Sequence, residues 1–341
     1  MSKVLLGLSG GVDSAVAAAL LQQQGYAVHG HWLDIGLGGR EDAEAVAARF
    51  EIAFSVGDIR EDLENLVCKP FGEAYLRGET PLPCARCNPA VKFPALLRAA
   101  DSVGAAFVAT GHYARIVGGA DSSEAFLHRG QPTNDQAYML ARLTKDMLPR
   151  LIFPLGDYEK SAVRQMARDF SIPVAEKPDS MEICFIPDGD YAAWLDRRGG
   201  TPPPGNFLDK AGKVLGQHRG YHHYTKGQRR GLTIAAGSRL FVSEIRPETN
   251  EVILSDGSDL FATRVWCEDL NFLDKVEDGQ EMTVRLRHSK QEYGASIRLL
   301  GDNKALLEMQ TEARAPTAGQ LAAFYDNDRV LGSGWITKEV K

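Results

Sequence analysis

Ser9-Gly10-Gly11-Val12-Asp13-Ser14 decides the reading of this chain, because it joins a short apolar run, Lys3 to Leu8, to an alanine-rich stretch, Ala15 to Gln24. The first has the length and content of a buried strand, the second the length of a helix. Glycines at a strand-to-helix turn let backbone N–H groups approach a phosphate while the helix dipole supports its charge. The hexapeptide lacks the Gly-Lys-Ser/Thr ending of a Walker loop and the spacing of a dinucleotide fingerprint, so γ-phosphoryl transfer and NAD binding do not fit. Pyrophosphate release fits better. A plain turn needs neither serine at both ends nor an aspartate between them.

Working outward, strand-like and helix-like segments keep alternating through Ala27 to Leu33, Glu41 to Phe50 and Ala105 to Ala109. That rhythm belongs to a parallel sheet with covering helices. Gly199-Gly200-Thr201-Pro202-Pro203-Pro204-Gly205 cannot continue a helix or a central strand, so the first domain break falls there. Beyond it come short β-like runs separated by turn residues, such as Leu240 to Ile245, Pro247-Glu248-Thr249-Asn250 and Val252 to Leu254. In Met282-Thr283-Val284-Arg285-Leu286-Arg287 the period of two puts Arg285 and Arg287 on one face and apolar side chains on the other. Phe324 to Leu331 reads as a hairpin, and Asp256-Gly257-Ser258-Asp259 as a soft boundary. The expected architecture is α/β: a parallel-sheet catalytic domain over 1–200, a small β domain over 201–258 and a β-barrel over 259–341.

A chain of 341 residues, 44% hydrophobic and 25% charged, buries at least one full core and usually divides into two or three domains. Val4-Leu5-Leu6 ends at glycines and is too short for a secretory leader, and nothing approaches the roughly 20 apolar residues that span a bilayer. A cytoplasmic protein is expected. Five cysteines, an odd number, argue against a disulfide framework in that compartment and toward redox, metal or nucleophilic roles for those that cluster, as Cys84-Ala85-Arg86-Cys87 does. A net charge of −6 neither announces nor excludes nucleic acid, because a local basic patch can sit on an acidic whole. Lys226, Arg229 and Arg230, with His222 and His223 nearby, are the most concentrated positive segment and suit phosphate contacts as well as a solvated face.

The hexapeptide resembles the PP-loop of the ATP pyrophosphatases, whose fold is adenine nucleotide α-hydrolase-like and which activate a carbonyl-type oxygen as its adenylate. The resemblance then lengthens. Thr80-Pro81-Leu82-Pro83-Cys84-Ala85-Arg86-Cys87-Asn88 with Val91-Lys92-Phe93 is similar to a signature of the bacterial tRNA-specific 2-thiouridylases. So are Ala109-Thr110-Gly111-His112-Tyr113, Asn134-Asp135-Gln136 with Tyr138, Lys177-Pro178-Asp179-Ser180 with Glu182 to Ile186, and Gly227-Gln228-Arg229-Arg230-Gly231-Leu232. Six ordered motifs cover nearly the whole chain.

The resemblance implies ATP-dependent 2-thiolation of a wobble uridine in tRNA. Gly7, Leu8, Ser9, Gly10, Gly11, Val12, Asp13 and Ser14 would line ATP, with Leu33 and Gly111 at its border and Asp13 holding Mg2+. Cys184 would carry a persulfide received from a sulfur-donor protein, and Cys87 would be the second thiol that attacks it, ending in a disulfide or releasing sulfide. Leu82, Pro83 and Cys84 would face the target base; His112, Asn134, Asp135, Gln136, Arg287, His288 and Gln320 would lie along the tRNA. Cys84 stands where relatives often carry aspartate, so Cys84, Cys87 and Cys184 also make a ligand set for a [4Fe-4S] cluster. Cys68 and Cys267 fall outside every motif and read as small buried hydrophobes.

Three other readings compete. Another PP-loop enzyme, an amidotransferase-type synthetase or a lysidine-forming ligase, would not need the Cys87 and Cys184 pair. A paralogue with a shifted RNA target would keep the reaction and change the substrate. A non-catalytic redox or metal module around Cys84 and Cys87 would need a second Cys/His pair that the neighbourhood lacks.

Overall fold

The computed structural model describes residues 1–119, 124–178, 183–234 and 239–338. Strands β1 (Lys3–Gly7), β2 (Ala27–Asp34), β3 (Ala53–Asp58) and β4 (Phe107–Ala109) are followed by a hairpin of β5 (Ala114–Gly118) and β6 (Ala125–Arg129), and then by β7 (Leu151–Ile152). Five of them form a parallel sheet in the order β3-β2-β1-β4-β7. Val4 and Leu6 point into one helical layer and Leu5 into the other, each with no exposed surface. This is why β1 is a continuous apolar run rather than an alternating one.

Helices α1 (Val12–Gln23) and α2 (Arg40–Arg49), with the helix Lys160–Asp169, cover the first face; the helix Phe93–Ser102 covers the second. Nine of the twelve residues of α1 are buried, and its alanines let it lie tight on the sheet. The chain runs from β1 to β2 and β3 on one side, then crosses to β4 on the other. Loops after β1 and β4 therefore diverge at the carboxyl ends of adjacent strands, where α/β sheets open a ligand crevice.

The helices between residues 60 and 102 escaped the sequence reading. They include two more loosely wound π segments, Glu64–Cys68 and Asn88–Lys92, each associated with a proline. The ring of Pro70 crowds the carbonyl four residues earlier, and Pro89 has no N–H to donate, so the regular hydrogen-bond ladder slips at both places. Cys68 ends the first segment and Cys87 immediately precedes the second.

After the helix Tyr191–Arg198, β8 (Gly205–Leu208), β9 (Val214–His218), β10 (Phe241–Arg246) and β11 (Glu251–Ser255) form a sheet in the order β10-β11-β8-β9. Its core holds Phe207, Tyr224, Val242 and Val252. The turn anticipated at Pro247 to Asn250 joins β10 and β11, with Asn250 left-handed at φ 54°.

The last strands are β12 (Phe261–Phe272), β13 (Glu281–Arg285), β14 (Tyr293–Gly301), β15 (Lys304–Arg314), β16 (Leu321–Asp326) and β17 (Arg329–Ile336). They run in the order β12-β15-β14-β13-β16-β17 and close when β12 pairs with β17. Closure leaves no free edge on the six-stranded barrel. One further pair, Arg329 with His128, extends it into the β5–β6 hairpin of the first domain.

The barrel is fastened to the catalytic domain. Arg285 donates to Asp135 at 2.7 Å with both side chains almost wholly buried, and the Tyr138 hydroxyl donates to the Leu321 carbonyl at 2.7 Å. Asn271 donates to the carbonyls of Ala141 and Leu143. Alternation in β13 does separate Arg285 from Met282 and Val284, but the arginine face turns inward to a carboxylate and not to solvent. Among the described residues no helix is long and apolar enough to cross a membrane.

Candidate active site

Gly7 ends β1 and Val12 opens α1, so Leu8 to Gly11 form the turn between them. Gly10 is left-handed at φ 74°, and a Cβ there would stand 2.9 Å from that of Asp42. Only glycine fits. Ser14 Oγ lies 3.1 Å from Ser9 Oγ, accepts from the Ser9 N–H at 3.2 Å and donates to the Gly11 carbonyl at 3.1 Å. Two serines thus tie the turn shut. Across the crevice Gly111, just after β4, approaches so closely that a Cβ would stand 2.9 Å from the Ser14 nitrogen. The carboxyl end of β2 brings Leu33, half-buried, to the same end of the sheet.

Asp13 is fully engaged. Lys160 Nζ donates to its two oxygens at 2.6 and 2.7 Å, and the Tyr113 hydroxyl donates to Oδ1 at 2.7 Å. Lys177 Nζ reaches the Gly10 carbonyl at 3.3 Å and Asp42 at 2.5 Å. Two ammonium groups therefore stand at the loop, one at each end. The sequence reading quoted Lys177 within a motif and passed over Lys160, because a lone lysine before a polar helix carries no signal of its own. Asp179, Ser180 and Glu182, from the same motif, lie outside the described residues.

The thiols form a second centre. Leu82 precedes the helix Pro83–Cys87, whose Cys84 is partly covered and Cys87 buried. Burial pushes the Cys87 thiol up to about 11 against an opposing pull from Lys92, and Cys84 is raised for the same reason. Cys184 is exposed. Its chain neighbours Ile183 and Phe185 pack in the apolar cluster that holds Cys68 and Cys87, which brings Cys184 into the same neighbourhood. Cys68 is buried with Cys87, Phe71, Phe185 and Ile186 in one apolar cluster, and desolvation drives it to about 12. Cys267 is wholly buried in the barrel core. All five cysteines are free thiols, and Cys84, Cys87 and Cys184 do not gather within 4.8 Å of one another.

His112 links the two centres. Its Nδ1 lies 2.6 Å from Thr110 Oγ1, its ring stacks on Phe93 at 6.0 Å, and burial, with Lys92 nearby, holds it well below the usual histidine range. The ring is neutral at pH 7. A cleft of about 750 Å³ opens beside Leu82 and Pro83 where the three domains meet, lined also by Phe71, Arg86, Glu248 and Trp335. That volume suits a small-molecule-sized group.

Several polar residues expected along tRNA are engaged inside the protein. Asn134 donates to the Tyr158 carbonyl, Asp135 accepts from Arg285 and from the Gly130 and Ala137 N–H groups, and Gln136 accepts from the Tyr113 N–H. Arg287 donates to the Ala315 carbonyl, and Gln320 to the Thr80 carbonyl beside the Leu82 loop. His288 stays exposed, 6.2 Å from the Tyr138 ring. Arg229 and Arg230 are exposed while Lys226 is partly covered. His222 and His223 do not join that basic surface: they turn inward to Asp196.

Three family models match in sequence: a tRNA methyl transferase HUP domain over residues 2–188, a tRNA methyl transferase PRC-barrel domain over 193–256, and an aminomethyltransferase β-barrel domain over 262–336. The tRNA-specific 2-thiouridylase MnmA of Carboxydothermus hydrogenoformans is 44% identical, covering 99% of this chain and 98% of its own. That of Lachnoclostridium phytofermentans is 41% identical over 99% and 100%, and that of Caldicellulosiruptor saccharolyticus 39% over 98% of each. With the PP-loop crevice, the thiols and both β domains in the same order, the chain belongs to the tRNA-specific 2-thiouridylase family.

Proposed function

We propose that this ATP-dependent tRNA sulfurtransferase converts the C2 oxygen of a wobble uridine into its adenylate and then replaces it with sulfur carried on Cys184. The observation that supports this most is the pairing of a closed phosphate loop with a separate group of thiols in the same domain. The uridine oxygen attacks the α-phosphorus of ATP and pyrophosphate leaves. Backbone N–H groups of the Gly10 to Ser14 turn would face the phosphates, and Lys160 and Lys177 add positive charge at the rim. The Asp13 carboxylate would hold the Mg2+ that ATP brings, in competition with its present partner Lys160.

Sulfur delivery then balances as follows. The terminal sulfur of a Cys184 persulfide attacks C2 and AMP departs. A Cys87 thiolate attacks the Cys184 sulfur, breaking the S–S bond and leaving its electrons on the sulfur now bound to the base. The products are 2-thiouridine and a Cys87–Cys184 disulfide, which an external dithiol reduces before the next cycle. A persulfide donor protein reloads Cys184, whose exposure suits transfer between proteins. The cleft beside Leu82 and Pro83 would receive the flipped base, with Cys84 and His112 near it. Asn134, Asp135, Gln136, Arg287 and Gln320 would then shape the tRNA surface from below, while His288, Arg229 and Arg230 meet the RNA.

Cys84, Cys87 and Cys184 lie in one neighbourhood without touching, and in a second reading they would hold a [4Fe-4S] cluster, which would supply an iron able to bind sulfide. Purification without oxygen separates the two. Brown protein whose iron and sulfide vanish in Cys84→Ala supports the cluster; colourless protein that thiolates tRNA from a persulfide donor supports the two-thiol route.

A further inference from the structure

We propose that Asp196, His222 and His223 form a binding site for one zinc-type divalent ion, which ties the helix Tyr191–Arg198 to the middle β domain. Their ligand atoms all lie within 4.8 Å of one another, the only such group among the described residues. His222 Nε2 is 2.9 Å from one Asp196 oxygen, and His223 Nε2 is 3.5 Å from the other. Two imidazole nitrogens and a carboxylate oxygen are a donor set for zinc, cobalt or nickel, whereas calcium and magnesium call for oxygen alone.

The surroundings point to a ligand, beyond the proximity. The His223 side chain is 7% exposed and turns Nε2 toward Asp196, while its Nδ1 is buried without a hydrogen-bond partner. His222 is 1% exposed, and its Nδ1 is likewise buried without a partner. The two rings stand only 4.2 Å apart, and both turn Nε2 toward the Asp196 carboxylate.

The backbone is also shaped for the cluster. Gly220, at φ 121°, precedes the turn, and a Cβ there would stand 2.6 Å from His222 Cε1. Asp196 keeps 45% of its side chain open, which leaves room for water as a fourth ligand. The carboxylate sits on the helix whose Trp194 and Leu195 pack with Phe71, Cys87 and Phe185. A bound ion would thus hold the middle domain against the wall of the thiol centre, a structural role apart from the chemistry.

The test uses the full chain, stripped with a chelator and with its cysteines alkylated so that thiols cannot bind. Zn2+ is titrated by calorimetry and bound metal is counted after gel filtration; Co2+ supplies an absorption spectrum. The expected result is one ion per chain, a nitrogen/oxygen cobalt spectrum, and a zinc-dependent rise in melting temperature. His223→Phe keeps the ring packing and Asp196→Asn keeps a hydrogen-bond acceptor, and each should weaken zinc binding at least tenfold while melting like the wild type in chelator. If either variant misfolds, the other carries the comparison. Alkylated wild-type protein that binds no zinc or cobalt, or binds them equally well in the folded variants, overturns the proposal.

Discussion

The phosphate loop and the thiol centre belong to one domain but are built in opposite ways. Around Asp13 every polar group is matched: Lys160 and Tyr113 on the carboxylate, Ser9 and Ser14 on each other, Lys177 on the Gly10 carbonyl. At the thiols the groups are mismatched to their task, since Cys87 is buried and protonated while Cys184 lies open to solvent. Preorganisation suits activation, where charge must be met as it forms. A thiol held protonated until the reaction suits sulfur transfer, because a free thiolate beside a persulfide would discharge it early.

The difference can be broken at either end. The largest effect belongs to Cys184→Ser, which should abolish 2-thiouridine formation while tRNA-stimulated pyrophosphate release continues within a fewfold of wild type; labelled sulfur on the protein by mass spectrometry checks the loading step. Asp13→Ala should slow pyrophosphate release by at least about 100-fold, a loss of roughly 3 kcal/mol of transition-state stabilisation. Its melting temperature should stay close to wild type, because the side chain lies in a half-open turn. Normal release by the folded variant would remove Asp13 from the mechanism. Lys160→Gln should cost less, about tenfold, since Lys177 still serves the loop.

Arg285→Met separates anchoring from RNA contact. Breaking its buried pair with Asp135 should destabilise the protein by about 3–5 kcal/mol in denaturant titration. A fully stable variant with weakened tRNA binding would instead make this pair an RNA contact. The smallest effect is one of pH. A thiol raised to about 11 gains thiolate with every unit up to that value, so alkylation of Cys87 in tRNA-free protein should accelerate nearly tenfold per unit between about pH 7 and 10. A rate already level by pH 9 contradicts the burial assigned to it. His31 and His112 have the opposite sign for stability. Burial holds both below their unfolded values, so the unfolded chain takes up protons that the native one refuses, and stability falls as pH drops below about 6.5.

Much of the fold could be read along the chain because its signals are local. Lys3 to Leu8, the turn at Ser9 to Ser14 and the hairpin around Asn327 each announce themselves within about ten residues. What stayed hidden depends on distant partners. The helices between 60 and 102 are interrupted by prolines that read as breaks, yet the chain absorbs them in π turns. Lys160 matters only because a helix 147 residues downstream of Asp13 packs on α1. His222 and His223 looked basic in sequence, and only the helix bearing Asp196 shows that they face inward. The period of two gave Arg285 a face but no partner, because Asp135 lies 150 residues away in the chain. Cys68 read correctly as buried, but its closeness to Cys87 and Cys184 could come only from tertiary packing.

The division of labour between the two centres is tested most directly in one tube, with Cys184→Ser protein, ATP, a persulfide donor and tRNA lacking 2-thiouridine, by measuring pyrophosphate release and nucleoside composition together. Pyrophosphate without 2-thiouridine is the outcome expected here. Thiolation at the wild-type level, or loss of pyrophosphate release from a folded variant, would contradict it.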